Sequence, residues 1–167
     1  MALKASIFDI DGAPAMRNKA AGTYAALPGA VAAMQTCRDA GLAVVAYTNG
    51  TIYPPAHSAA PLAKAGIDRA PGHMVTPANV VAHELARLGH KRVMVLAADG
   101  VTTPVAEAGI EVVPPKKAAG LVDAVPVGRT HRIDVEIQEA AAEALWSGVP
   151  LYATPGARPT SPRPGSE

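Results

Sequence analysis

The sequence predicts an α/β fold on a parallel, Rossmann-like sheet, and three observations carry that prediction. The stretch Ala5-Ser6-Ile7-Phe8-Asp9-Ile10-Asp11-Gly12 is an apolar run that ends in two aspartates and a glycine. The stretch from Gly41 to Gly50 repeats the design, stopping at Thr48, Asn49 and Gly50. Between them lies a segment of helical character, so the two runs read as parallel strands of one βαβ unit with their polar tips side by side. Ligands of open α/β sheets bind at that edge.

Each element follows from its residues. Alternate residues of a strand face the same way, so Asp9 and Asp11 are expected to project together at the carboxyl end of the first strand. Like charges this close raise each other's pKa unless a cation sits between them, and oxygen-only ligation suits Mg²⁺. On these residues alone, a strand followed by an Asx-type turn is the competing reading. Residues 13–27 read as a loop with scattered charges. Pro28 then starts a helix that runs to about Ala40 and is ended by Gly41. Ile52-Tyr53-Pro54-Pro55 is a turn, followed by a short helix through Leu62 to Gly66.

A brief strand is expected from Gly72 to Pro77. Thr76 or Asn79 then caps a helix to Leu88, with Val80, Val81, Leu85 and Leu88 on one side and Gly89 as its stop. From Lys91 the pattern restarts. Strands are expected at 92–97, 109–113, 120–127 and 149–154, and helices at 103–108 and 134–146, which argues for a second small α/β layer. The segment from Pro155 to Glu167, rich in Pro and Arg, has nothing to bury and reads as an extended or disordered end.

Composition narrows the function classes. Apolar residues make up 49% of the 167 residues and charged ones 17%, enough for a core and unlike a disordered chain. A formal net charge of +1 argues against a nucleic-acid partner. One cysteine, Cys37, excludes an internal disulfide framework. Asp9 and Asp11 interrupt the place where a signal peptide needs an unbroken apolar core, and no later run is long enough for a bilayer, so a soluble cytoplasmic protein without a membrane partner is expected. His83-Glu84 begins like a zinc-protease helix, but Arg87 stands where a second histidine is needed. No dinucleotide fingerprint, P-loop or Gly-x-Ser-x-Gly elbow occurs. Cys37 and Trp146 read as packing residues, and Lys116-Lys117 as a solvated loop.

Phe8-Asp9-Ile10-Asp11-Gly12, followed by a strand ending in Thr48-Asn49-Gly50, resembles the haloacid dehalogenase superfamily. The likeness is strongest to its subgroup with a large cap after the second motif, the p-nitrophenylphosphatase-like and N-acetylglucosamine-phosphatase-like hydrolases. The resemblance implies a partial core sheet with an inserted α/β cap: residues 1–88 as the first half of the core, 89–150 as the cap, and 151–167 as a return strand and tail. It implies Asp9 as the nucleophile that forms an aspartyl-phosphate and Asp11 as general acid and base. Gly12, Thr48, Asn49 and Gly50 would cradle the phosphoryl group of a small phosphorylated substrate. Mg²⁺ would bind a carboxylate oxygen of Asp9 and the backbone carbonyl of Asp11.

Two departures from the family pattern follow. Gly12 is succeeded by Ala13-Pro14, where Thr or Val is usual. After the cap, family members supply a lysine and a Gly-Asp-x-x-x-x-Asp type motif, and neither follows here. The resemblance therefore implies a phosphatase component that a protein partner or another copy of the chain completes, covering an otherwise open sheet. A non-catalytic scaffold subunit of the same fold is the alternative.

Overall fold

The computed structural model describes residues 3–18, 20–68, 73–116 and 121–154. The first apolar run forms β1 (Ala5–Asp9) and the second forms β4 (Ala43–Tyr47). They pair in parallel from Ala5↔Ala43 to Asp9↔Tyr47, with α1 (Ala30–Asp39) as the crossover. Gly41, at φ 74°, ends that crossover: its left-handed backbone lets the N–H of Leu42 reach the Cys37 carbonyl at 3.0 Å. A short β5 (Met74–Val75) lies on the far side of β4, giving the order β1-β4-β5.

Register partners share a face, so this sheet has two unequal sides. Phe8, Val44, Ala46 and Met74 pack with Met34 of α1 and Leu62 of α2 (Pro55–Lys64). On the other side, Ile7 is 72% exposed and its neighbours Val45, Asp9 and Tyr47 are exposed or half-buried. Parallel sheets are ordinarily covered on both faces, and this one is covered by its own described chain on one.

Residues 13–27 differ from the loop expected of them. The described residues among them form an antiparallel pair of β2 (Ala15–Asn18) and β3 (Thr23–Ala26), with Gly22 at φ 64° between the strands. Ala15 is buried, Met16 exposed and Arg17 half-buried. The alternation is that of a strand, but over four residues of weak β propensity it gives almost no hydrophobic signal.

From α3 (Pro77–Arg87) onward the chain builds a second layer. The Thr76 hydroxyl caps α3 by accepting the Asn79 N–H at 3.2 Å. In this layer β6 (Arg92–Met94) pairs with β7 (Glu111–Val113), and β8 (Val125–Val127) with β9 (Leu151–Ala153). Parallel bridges Val93↔Ala124 and Leu96↔Val127 join the pairs, so the strands run β7-β6-β8-β9. Helices α4 (Asp99–Glu107) and α5 (Val135–Trp146) make the crossovers, α5 capped by the Asp134 carboxylate on the Ile137 N–H. Ala78 and Leu85 of α3 share one core with Val93, Val101, Val105 and Ile110, while Met94, Val125 and Ala140 anchor another.

Helix α4 begins four residues earlier than expected, because Pro104 lies inside it rather than in its first turn. Its missing N–H leaves the Gly100 carbonyl without the usual helical donor. Trp146, expected to pack, is 84% exposed: the buried residues of α5 are Ala140 and Ala141, and Trp146 lies at the helix end, beyond that stripe. The Pro-rich segment 155–167 and Lys117 fall outside the described residues. Among the described residues no helix is long and apolar enough to cross a membrane.

The two layers meet at Gly100. Its N–H donates to the Ile52 carbonyl at 3.0 Å, and a Cβ there would lie 2.3 Å from the Thr51 carbonyl oxygen. Gly100→Ala therefore forces backbone apart, and is expected to lower stability by roughly 1–3 kcal/mol in a urea titration. A second prediction concerns Asp123, whose carboxylate accepts the N–H groups of Lys91 and Arg92 at 2.6 and 2.9 Å. These bonds hold its carboxyl below the ordinary value of 3.8. A depressed carboxyl stabilises the fold above its unfolded value and loses that contribution as pH falls through its folded value. Asp123→Asn should thus lower the melting temperature at pH 7, and the gap to the parent should close as pH drops below about 3.8.

Candidate active site

The parallel register brings the two polar tips together. At the end of β1, Gly12 turns the chain at φ 91°, a backbone that favours glycine, and its N–H donates to the Ala15 carbonyl at 2.9 Å. At the end of β4, Thr48 is anchored through its N–H to the Val75 carbonyl at 3.1 Å. The Thr48 hydroxyl then donates to the Asp11 carboxylate at 3.1 Å and accepts the Gly50 N–H at 3.0 Å. Asn49 is tied by its side-chain oxygen to the Tyr47 hydroxyl at 2.6 Å.

Asp11, Thr48 and Gly50 line one cleft together with Arg17, Tyr24, Tyr53, Thr76 and Arg129. Asp9 is exposed at the last position of β1, on the face it shares with Ile7, and is not among the residues lining that cleft. The N–H groups of Gly12 and Gly50 are engaged within the protein. In these turns the backbone donors left for an anion, among the described residues, include those of Asp11 and Ala13 after β1 and of Asn49 after β4.

The donor chemistry fits a hard cation. Asp9 offers a carboxylate and Asp11 a backbone carbonyl, both oxygens, both on exposed residues. Mg²⁺ is ordinarily held by one or two carboxylates, several waters and the substrate's own phosphate. Among the described residues no cluster of three or more His, Cys, Asp or Glu side chains assembles a metal site. If the ion binds here, the described chain would supply only a few of its oxygen ligands rather than a closed cage.

Several cleft residues are not legible from the motifs. Arg17 lies with its guanidinium carbon 5.9 Å from the ring centroids of both Tyr24 and Tyr53. His57 stacks on Tyr53 with centroids 4.3 Å apart and planes 17° from parallel. The Nε of Arg17 is buried without a hydrogen-bond partner. Arg129 arrives from the second layer, just past β8, where an apolar strand ends in a polar residue as β1 and β4 do. That repeated strand-end signature is the signal by which it could be found; Arg17 and Tyr24 have none beyond the hairpin. A larger cavity of about 590 Å³ shares the Ile52–Tyr53 wall and is lined otherwise by residues 95–99, 115, 130–134 and 137.

Comparisons with known proteins bear on the family and the fold. The model of the haloacid dehalogenase-like hydrolases matches residues 6–111, which include both strand tips. NagD from E. coli K-12 superimposes with a TM-score of 0.77 at 27% identity, over 92% of this chain and 57% of that one. A p-nitrophenyl phosphatase from Archaeoglobus fulgidus gives 0.75 at 19%, over 94% and 57%. A glycerol phosphate phosphatase from Mycobacterium tuberculosis, solved in complex with magnesium, gives 0.71 at 24%, over 89% and 43%. The chain thus spans a little over half the length of the first two. No curated protein matches it. With the match extending over more than half of its residues, the chain belongs to the haloacid dehalogenase-like hydrolase family.

Proposed function

We propose that the chain is the nucleophile-bearing part of a cytoplasmic, magnesium-dependent phosphatase that cleaves a small phosphomonoester through an aspartyl-phosphate. The observation that carries this reading is the Thr48–Asp11 hydrogen bond, which joins two motifs 37 residues apart at the carboxyl ends of adjacent parallel strands. The phosphatases among its structural relatives add support.

In this reading the Asp9 carboxylate attacks phosphorus, the bond to the leaving oxygen breaks, and Asp11 gives that oxygen its proton. Asp11 then takes a proton from water, whose oxygen attacks the aspartyl-phosphate and frees Asp9. Thr48 orients Asp11 by their hydrogen bond, and the N–H groups of Asp11 and Asn49 meet the phosphoryl oxygens. Mg²⁺ bound by Asp9 and the Asp11 carbonyl would neutralise phosphoryl charge.

The second layer is proposed as the cap, since Arg129 from that layer reaches the same cleft as Asp11. A further polypeptide, either a different chain or another copy of this one, is proposed to cover the open face of β1. That face carries Ile7 and Asp9 together, so whatever shields the one borders the other. This cover would bring the remaining charges of the site to Asp9.

Two predictions test the reading. By itself the chain should hydrolyse p-nitrophenyl phosphate barely above background, and static light scattering should find it self-associated or bound to a co-purifying chain; a stable monomer with robust magnesium-dependent turnover would remove the need for a partner. In the complete assembly, Asp9→Asn should abolish turnover while the fold survives. Asp11→Asn should lose about 10²–10⁴-fold and accumulate phosphate on Asp9, seen as an added mass in intact-protein spectrometry. Parental rates in both variants would return the protein to the scaffold class.

A further inference from the structure

The two strand-tip motifs bring carboxylates, a hydroxyl and backbone N–H groups to the cleft, and β2 brings a cation that belongs to neither motif. Arg17 of β2 lines the cleft with Asp11, Thr48 and Gly50. Its guanidinium carbon lies 5.9 Å from the ring centroids of both Tyr24 and Tyr53, and those two residues are walls of the same cleft. The rings therefore place the guanidinium itself, and not only the backbone that carries it, at the cleft.

Nothing in the described fold satisfies that group. Arg17 has no ion pair among the described residues, where the ion pairs are Glu84–Arg87 and Glu111–Arg92. Its Nε is shut off from solvent without a hydrogen-bond partner. A donor of a charged group left in that condition costs free energy that a bound acceptor removes. Aromatic faces attract the guanidinium and hold it still, but they are weak acceptors and leave its N–H fork unused.

The size of the cleft limits what that acceptor can be. Its volume is about 60 Å³, far below the several hundred Å³ of a site that encloses a whole small molecule. One compact oxyanion fits such a space. In the phosphatase reading a phosphoryl group stands at the tips of β1 and β4, with oxygens that point in several directions at once. Oxygens that the N–H groups of the tips do not reach need a donor from another element, and a planar guanidinium is suited to them.

Resting on that reading, we infer that Arg17 is a substrate-binding residue whose tyrosine-flanked guanidinium donates to the phosphoryl oxygens on the side where Asp11 acts. Asp9 is not among the residues lining the cleft, so it approaches phosphorus from another side. His57, stacked on Tyr53 at 4.3 Å, backs one of the two rings. Held by rings instead of a carboxylate, the fork is fixed in place and still free to bind.

Titration of the full chain with inorganic phosphate in the presence of Mg²⁺, followed by two-dimensional proton–nitrogen NMR, tests this without turnover. The Arg17 Nε–H signal is identified by its loss in Arg17→Met, which keeps the apolar stem and whose fold is checked by circular dichroism. Phosphate should move that signal saturably, and sodium chloride at the same ionic strength should not. Arg17→Met should bind phosphate about ten-fold or more weakly. The titration of the parent chain stands whether or not the variant folds. If the backbone signals of Thr48 and Asn49 respond while that of Arg17 stays still, or if folded Arg17→Met binds as tightly as the parent, the assignment of Arg17 is overturned and the phosphatase reading stands. A response of Arg17 alone also overturns it, because the anion then lies away from the strand tips. Silence of all three signals would overturn both.

Discussion

The register between β1 and β4 is the constraint from which the site follows. Asp9 stands opposite Tyr47, so the chains leaving the two strands emerge side by side and Thr48 falls within hydrogen-bond reach of Asp11. A slip of one residue would invert every side chain of β1, placing Ile7 on the core side and turning Phe8 out. The core therefore polices the chemistry: Phe8, Val44, Ala46 and Met74 bury one face against α1 and α2, and no other register satisfies both that burial and the Asp11–Thr48 contact. Gly12 completes the arrangement, since its left-handed turn brings the chain back into the hairpin that delivers Arg17.

The second layer obeys a constraint of its own. Its strands carry their crossovers outward in opposite directions, α4 towards β7 and α5 towards β9, so a crevice opens at the carboxyl ends of β6 and β8. The 590 Å³ cavity lies there, between residues 95–99 and 130–134. Gly100 sets how near that crevice stands to the first sheet, because α4 touches the Thr51–Ile52 backbone at the one residue type that leaves room for it. Two sheet edges thereby confront each other, one offering carboxylates and a hydroxyl, the other arginine.

Much of this was legible in the residues. Apolar runs with polar tips announced β1 and β4, and Gly41, Thr76, Gly89 and Asp134 marked helix boundaries through backbone conformations and caps that the structure contains. That the tips bearing Asp11 and Thr48 lie side by side followed from strand polarity; the hydrogen bond between those two side chains did not. What escaped notice did so for physical reasons. The β2–β3 hairpin rests on backbone pairing between short alternating segments such as Ala15-Met16-Arg17-Asn18, whose side chains carry little hydrophobic contrast. The helix expected at 103–108 extends back to Asp99, since Val101 and Val105 pack into the core on either side of Pro104. Arg129 carries the strand-end signature, but that it lines the same cleft as Asp11 depends on the approach of two layers, a long-range relation that the signature does not encode.

The open face of β1 ties two properties that proteins usually keep apart. Ile7 and Asp9 are two residues apart on the same side of an extended strand, hence about 7 Å from each other. Replacing Ile7 by a charged residue, the simplest remedy for stickiness, would set a new charge beside Asp9, the proposed nucleophile. Selection for solubility and selection for chemistry therefore act on the same few square ångströms. If Asp9 is the nucleophile proposed above, shielding Ile7 by another surface is a less damaging way to keep it from water than changing its own side chain.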